Sequence, residues 1–522
     1  MEKKRNGFAS GIGFILAAAG SAVGLGNLWG FPFKTSANGG AAFVFIYIAC
    51  VLFIGAIAMI AEIYIGKRAA ANTVSSYKKV NKNFGWVGLL VLIIPFLITC
   101  YYSVLGGYTL KYTMNSFAGN EGILGTFSVN VGEVILYTAL FMLLALVIVM
   151  AGVKGGIEKA SKVLMPVLFL ILVFIVIFCL CLGDGVSAGL NKYLNPDFYA
   201  FFHDSEGNLS FNGLLAAMGQ AFFSLSLGMG AMVCYGSYTG KEIKVGKSVA
   251  MICIFDTCVA FLAGLAMFPA IGALAPENLN SSGGVGLMFA ILPLVFTKMG
   301  AIGQIISFLF FAMVSIAAIT SVISLVEVVT QLIVQKTKMS RKKSALIVMA
   351  VAFAISLPVG ISLGRVAILE EAGINIFGFD MLTFFDEATN AVLMPLGAFA
   401  ACFAIGWLFG EKKSLADWFS PKALAVRLKE DGLDLGKFSV VFAVMIKYVT
   451  PILILFLDIA GIITNVTGNV KYWAVVGFAA LLIVVSIVIY FVFLKNSNTG
   501  CNADELAHEG AAEGEDAQSS AE

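Results

Sequence analysis

The chain has 522 residues, 60% of them hydrophobic and 12% charged, with a mean hydropathy of +0.95. No soluble globular class has this balance, so a polytopic membrane protein is expected, with lipid as a partner and nucleic acid excluded. The formal net charge of +2 decides nothing, because in such a chain the placement of charge matters more than its sum.

Runs of roughly 20 apolar residues mark membrane-crossing helices. They are predicted at about 9–34, 41–66, 87–117, 131–152, 160–183, 212–239, 248–273, 299–335, 344–363, 376–410, 438–463 and 471–494. The expected fold class is an all-α polytopic membrane protein with twelve transmembrane helices in one domain over 1–494. The first apolar run carries no small-residue cleavage pattern, so it is read as a retained helix. Six cations, Lys34, Lys111, Lys192, Lys298, Arg365 and Lys471, fall in one set of loops, and nearly all the other Lys and Arg residues fall in the opposite set. The positive-inside rule then puts both termini in the cytoplasm, and the expected location is the plasma (inner) membrane. The nine cysteines lie almost wholly inside apolar runs, so no structural disulfide or metal site is expected. His203 and His508 both lie in polar segments, which argues against histidine chemistry.

The first helix contains Gly20-Ser21-Ala22-Val23-Gly24-Leu25-Gly26-Asn27-Leu28-Trp29-Gly30-Phe31-Pro32. A membrane helix must satisfy its backbone internally, and glycine makes a break easy. A break at mid-membrane exposes carbonyls for a cation and amides for an anion, with Asn27 at the same depth. The sixth helix repeats the pattern at Gly219-Gln220-Ala221-Phe222-Phe223-Ser224-Leu225-Ser226-Leu227-Gly228-Met229-Gly230. The two breaks lie five helices apart, so they hold corresponding places in two halves of opposite orientation. Repeat one covers about 9–183 and repeat two about 212–410, a 5+5 inverted repeat with helices eleven and twelve added. Either glycine segment alone would fit close helix packing. Paired, they point to a transporter site.

Asp256 lies about 12 Å into the seventh helix at 1.5 Å per residue, where an ionisable group defaults to function. The plainer reading is a protonated or neighbour-paired structural acid. Thr320-Ser321 is a polar doublet in the apolar eighth helix, suited to a hard cation that wants oxygen ligands. The plainer reading is back-bonding of both hydroxyls to their own helix. The segment after the tenth helix, 411–436, reads as an interfacial element, and 495–522 as an acidic disordered cytoplasmic tail.

The two glycine segments, with Phe31-Pro32 and Asn38-Gly39-Gly40-Ala41, resemble the signatures of the neurotransmitter:sodium symporter family. The likeness covers the whole membrane domain and is nearest to bacterial amino-acid transporters of the leucine-transporter type. It implies a sodium-coupled symporter working by alternating access, sufficient as a monomer, and not an enzyme. Two sodium ions are implied as cofactors. One would use Ala22, Asn27, Ser224 and Asp256 with the substrate carboxylate. The other would use Gly20, Val23, Ala317, Thr320 and Ser321. Asp256 stands where most members carry asparagine. Animal members place chloride near this point, and a fixed carboxylate can replace it, so no chloride requirement is expected.

The substrate would be an amino acid. The resemblance assigns its carboxylate to Leu25, Gly26 and Tyr102, and its ammonium to Ala22, Phe223, Ser224 and Ser226. The side-chain slot would comprise Ile98, Tyr102, Phe223, Met229, Ser321 and Leu325, nearly all apolar, which fits a neutral hydrophobic substrate, bulky or aromatic. Tyr102 and Phe223 would form a lid. Outside it, the family's arginine is replaced by Gly30 while its acid is kept as Asp386. The outer gate thus lacks its cation, which leaves open a cationic amino acid or amine drawn by an unpaired Asp386. The inner gate would comprise Arg5, Ser237 and Tyr238, with Phe8 in place of a tryptophan and Gln335 in place of an aspartate. Glu62 would brace the broken helices. A sodium-dependent sensor on the same scaffold is the alternative from another class.

Overall fold

The computed structural model describes residues 7–496, apart from 205, 241, 280–285, 338, 364–374 and 411–413. Arg5, Arg365 and nearly all of the predicted tail lie outside the described residues.

Ten helices are long and apolar enough to cross a bilayer, and a bent pair makes one more span. In chain order, α1 runs over Gly11–Ala22 and Gly26–Ala37, α2 over Ala41–Ala69, α3 over Gly85–Asn115, α4 over Val131–Met150 and α5 over Val153–Leu180. The broken α6 comprises Asn212–Ser224 and Ala231–Ser237. Then come α7 at Val245–Leu274, α8 at Ala301–Thr337, α9 at Arg341–Ser362, α10 at Met381–Leu408, α11 at Gly436–Gly468 and α12 at Val470–Leu494. The predicted spans all appear, with ends moved by a few residues. α1 runs three residues beyond its predicted end, to Ala37, so Lys34 sits inside the helix with a turn of chain after it.

Polar caps set several boundaries. Ser10 accepts from the Gly13 amide at the start of α1, Asn130 does the same for α4, and Asp380 for α10. Each satisfies one of the amides that a helix start leaves without a partner. Proline lies inside α3, α5, α7 and α9, at Pro95, Pro166, Pro269 and Pro358.

The core sits around α3 and α8, which pack along each other. Their most apolar stretches are 83% and 78% buried, against 22% in α12, so α12 lies at the rim. Exposed Leu481, Val484 and Val488 on α12, like Leu143 and Val147 on α4, form apolar faces that a bilayer must cover. On the predicted cytoplasmic side, the interfacial segment forms short helices at Leu415–Phe419 and Pro421–Glu430. Asp431 follows them and accepts from Tyr64 Oη at 2.5 Å and Arg68 Nε at 2.8 Å, tying this segment to the end of α2.

Candidate functional site

The two breaks face each other in the middle of the molecule. The halves of α1 bend by 56°, and Val23 between them is extended, with ψ 108°. Close approach explains two of the glycines. A Cβ on Gly24 would stand 2.7 Å from the Tyr102 hydroxyl, and one on Gly26 would stand 2.4 Å from the Phe223 ring. The α6 break needs left-handed backbone at Ser226, Gly228 and Gly230, with φ of 53°, 74° and 72°. The Gly228 amide donates to Glu62 Oε1 at 2.7 Å, so α2 braces the second break.

A cavity lies between the breaks. Ala22, Gly26, Ile98, Tyr102, Phe223, Ser226, Met229, Ser321 and Leu325 line it, joined by Ser21, Gly24 and Asn27. Leu25 and Ser224, expected to meet the substrate through a backbone amide and a backbone carbonyl, are not among the residues that line it. The Leu25 amide donates to the Tyr102 hydroxyl at 2.8 Å, so only its backbone faces the site. Ser224 is turned behind the wall toward Asp256. Sequence reading missed the Ser21 side chain, whose hydroxyl pairs with Ser324 Oγ at 2.7 Å.

Behind the cavity, four side chains meet. Asn27 Nδ2 donates to Asp256 Oδ1 and to Ser224 Oγ, both at 2.8 Å. Ser224 Oγ donates to Asp256 Oδ2 at 2.7 Å, and the Tyr47 hydroxyl lies 3.2 Å from that oxygen. Asn27 Oδ1 accepts from the Gly24 amide at 3.1 Å, which ties the cluster to the α1 break. Asp256 is fully buried and forms no ion pair among the described residues. A buried carboxylate held only by neutral donors is electrostatically incomplete, and a monovalent cation at these oxygens would complete it. Tyr47 was not foreseen. A tyrosine in an apolar run reads as core, and only the packing of α2 against α6 and α7 gives its hydroxyl a partner.

A second group of oxygens lies between α1 and α8. Ser321 Oγ donates to the carbonyls of Ser21 and Val23 at 3.3 and 3.4 Å. Thr320 Oγ1 donates to the carbonyls of Ile316 and Ala317 at 3.1 and 3.0 Å. Gly20 packs on this helix, where a Cβ would come within 3.3 Å of Thr320 Cβ. Thr320 therefore does back-bond to its own helix, while Ser321 reaches across to the α1 break. Turned about, the same hydroxyls offer lone pairs beside the same carbonyls, the all-oxygen shell a hard cation takes.

The family model described as "Sodium:neurotransmitter symporter family" matches residues 5–122 and 124–499. The chain belongs to this symporter family. An uncharacterized sodium-dependent transporter of Methanocaldococcus jannaschii is 30% identical over 94% of this chain and 98% of its own length. One from Bacillus subtilis is 31% identical over 89% of this chain and 99% of its own. Among solved structures, MhsT in complex with L-phenylalanine superposes with a TM-score of 0.76 at 34% identity, covering 88% of this chain and all of MhsT. The protein is thus a multi-pass, sodium-coupled transporter and not an enzyme.

At its two ends this symporter departs from the expected gates. On the side expected to face outward, Asp386 is not left alone. It accepts from the Tyr101 hydroxyl at 2.9 Å and from Asn390, and Lys34 lies within electrostatic reach of it and of Glu387. That lysine lies one helical turn beyond Gly30 along α1 and forms no ion pair with either acid among the described residues. On the side expected to face the cytoplasm, the Tyr238 hydroxyl donates to Glu327 Oε1 at 2.7 Å, and Glu327 is fully buried in an ion pair with Arg341. Gln331 Nε2 donates to Ser237 Oγ at 2.7 Å, while Gln335 accepts from Asn72. Phe8, which stands in place of the inner gate's tryptophan, packs edge-on against Tyr235.

Proposed function

We propose that this symporter imports a neutral amino acid with a bulky apolar side chain, driven by sodium, across the plasma membrane with both termini in the cytoplasm. The wall of the cavity carries this reading. Ile98, Phe223, Met229 and Leu325 line it with polar backbone and hydroxyls, and no charged side chain takes part. An acidic or cationic side chain would be buried there without a partner, at a cost of several kcal/mol. The Gly26 amide at the start of a half-helix, and the Leu25 amide when Tyr102 releases it, suit a carboxylate. The Ala22 and Phe223 carbonyls and the Ser226 hydroxyl suit an ammonium. The likeness to MhsT, solved with L-phenylalanine, and to the sodium-dependent nutrient amino acid transporter 1 of Drosophila grimshawi, 23% identical over 68% of this chain and 64% of its own length, supports an amino-acid substrate.

Two sodium ions are assigned. One sits among the Ala22 carbonyl, Asn27, Ser224, Asp256 and the substrate carboxylate. The other sits among Gly20, Val23, Ala317, Thr320 and Ser321. Sodium binds first and orders both breaks. Substrate then completes the first ion's shell, Phe223 and Tyr102 close over it, and rocking of α1, α2, α6 and α7 opens the inner side. Lys34 beside Asp386 weighs against the cationic-substrate reading, because the acid already has a positive neighbour.

The test is a thermal-shift panel of the twenty amino acids in sodium and in potassium. Aromatic and large aliphatic amino acids should stabilise the protein in sodium only. Strongest stabilisation by arginine, lysine, aspartate or glutamate would overturn the substrate class. Asp256 supplies the negative charge that would otherwise come from an anion, so replacing chloride by gluconate should leave initial uptake unchanged within about twofold, well under the tenfold that 1.4 kcal/mol brings. A sharp fall would remove Asp256 from that role.

A further inference from the structure

Gly30 and Lys34 lie on one continuous helical stretch, and Gly30 itself is right-handed, with φ −61° and ψ −45°. Residues four apart share a helix face, and helical side chains lean toward the N-terminus. A lysine at 34 therefore covers the surface over residue 30. Gly30 leaves that surface open. The one atom within 4 Å of a Cβ placed there would be Gln220 Oε1, at 3.5 Å. This oxygen is buried and accepts no hydrogen bond among the described residues, while the nitrogen of the same amide is committed to the Gly26 carbonyl at 2.9 Å. A second buried acceptor without a donor, Asn390 Oδ1, belongs to the residue whose nitrogen binds Asp386. The Tyr101 hydroxyl gives its proton to Asp386, and Tyr472 binds Glu387 at 3.0 Å. Among the described residues, this region just outside the lid is thus rich in acceptors and short of donors. An ammonium carries three donors and no acceptor.

We infer that Lys34 is the outer-gate cation of this symporter, reaching back over Gly30 toward Asp386 and Gln220 as the vestibule closes above Tyr102 and Phe223. This rests on the transport reading above. A lysine differs from an arginine set at position 30. It is a compact, strongly hydrated charge on a longer stem, so closing the gate must strip water from it. Its side chain comes from a turn further out, so the gate can close without filling the space above the lid.

The test uses the full chain in proteoliposomes, with sodium-driven uptake of L-phenylalanine and sodium-dependent distances between labels at positions 37 and 377 on the outer surface. K34Q should cut uptake at least about tenfold, the effect of losing one charge-assisted hydrogen bond. It should also broaden the label distance in sodium. K34R should keep both near the unsubstituted values. G30R added to K34Q should restore uptake and narrow the distance, because the open space at Gly30 admits a side chain. K34Q with unaltered uptake and label distance would overturn the assignment, as would a K34Q defect that G30R does not repair. Absence of phenylalanine uptake by the unsubstituted chain would count against the substrate reading alone, since the label distances still decide the gate.

Discussion

Asn27→Ala should lower sodium affinity by at least about a hundredfold, read as the half-saturating sodium concentration for uptake, with substrate affinity falling in parallel. The reasoning starts from the bonds this side chain makes. Its nitrogen donates to Asp256 Oδ1 and Ser224 Oγ at 2.8 Å, and its oxygen accepts from the Gly24 amide at 3.1 Å. All these groups are buried at the two breaks. Alanine leaves the Asp256 carboxylate short of a donor and the Gly24 amide without an acceptor. A hydrogen bond to a charged group contributes about 1.5–3 kcal/mol, and an orphaned buried polar group costs about 1–3 kcal/mol. The lower sum, about 2.5 kcal/mol, is already close to a hundredfold at 1.4 kcal/mol per decade. The Asn27 oxygen is also a proposed ligand, so its loss adds to the same effect. Half-saturating sodium that moves less than threefold, about 0.7 kcal/mol on the same scale, would mean that the cluster around Asp256 is structural and that sodium binds elsewhere.

The breaks were legible because glycine at mid-membrane is a local signal with a local cause. So were Asp256 and the Thr320-Ser321 doublet, since polar groups in apolar runs stand out without any structure. What could not be read depended on which helices meet. The Tyr47 hydroxyl matters only because α2 brings it to 3.2 Å from an acid on α7. Ser226 is left-handed without being glycine, so nothing in its type announces the turn. Lys34 counts with the loop charges until α1 is seen to run on to Ala37, which sets it one helical turn beyond Gly30. Glu327 carried the same signal as Asp256, an acid inside an apolar helix. Its partner Arg341 lies across a loop, among charges that the inside-positive bias alone explains. The inner closure through Tyr238 and Glu327 was therefore visible in half its parts only.

Gly228→Ala should abolish substrate binding and destabilise the folded protein by on the order of 3 kcal/mol, seen as a clear fall in melting temperature in detergent. Three effects act together. The residue sits at φ 74°, a conformation that costs an alanine about 1–2 kcal/mol. Its new Cβ would lie 1.9 Å from the Met394 carbonyl oxygen on α10, a backbone atom that cannot step aside. A shift of the loop to relieve that contact pulls the Gly228 amide from Glu62, whose other carboxyl oxygen already has no partner. Losing that bond costs about 1.5–3 kcal/mol and leaves a buried acid almost unsupported. The damage falls on function as well as stability, because Ser226 and Met229, on either side, form part of the cavity wall. Gly219→Ala on the same helix is the control. A Cβ there meets nothing within 4 Å, so this change should leave melting and binding close to those of the parent. Equal tolerance of both substitutions would show that the α6 break repacks freely and does not define the site. A defect confined to Gly228→Ala would show that the left-handed turn against α10 holds the substrate-facing backbone in place.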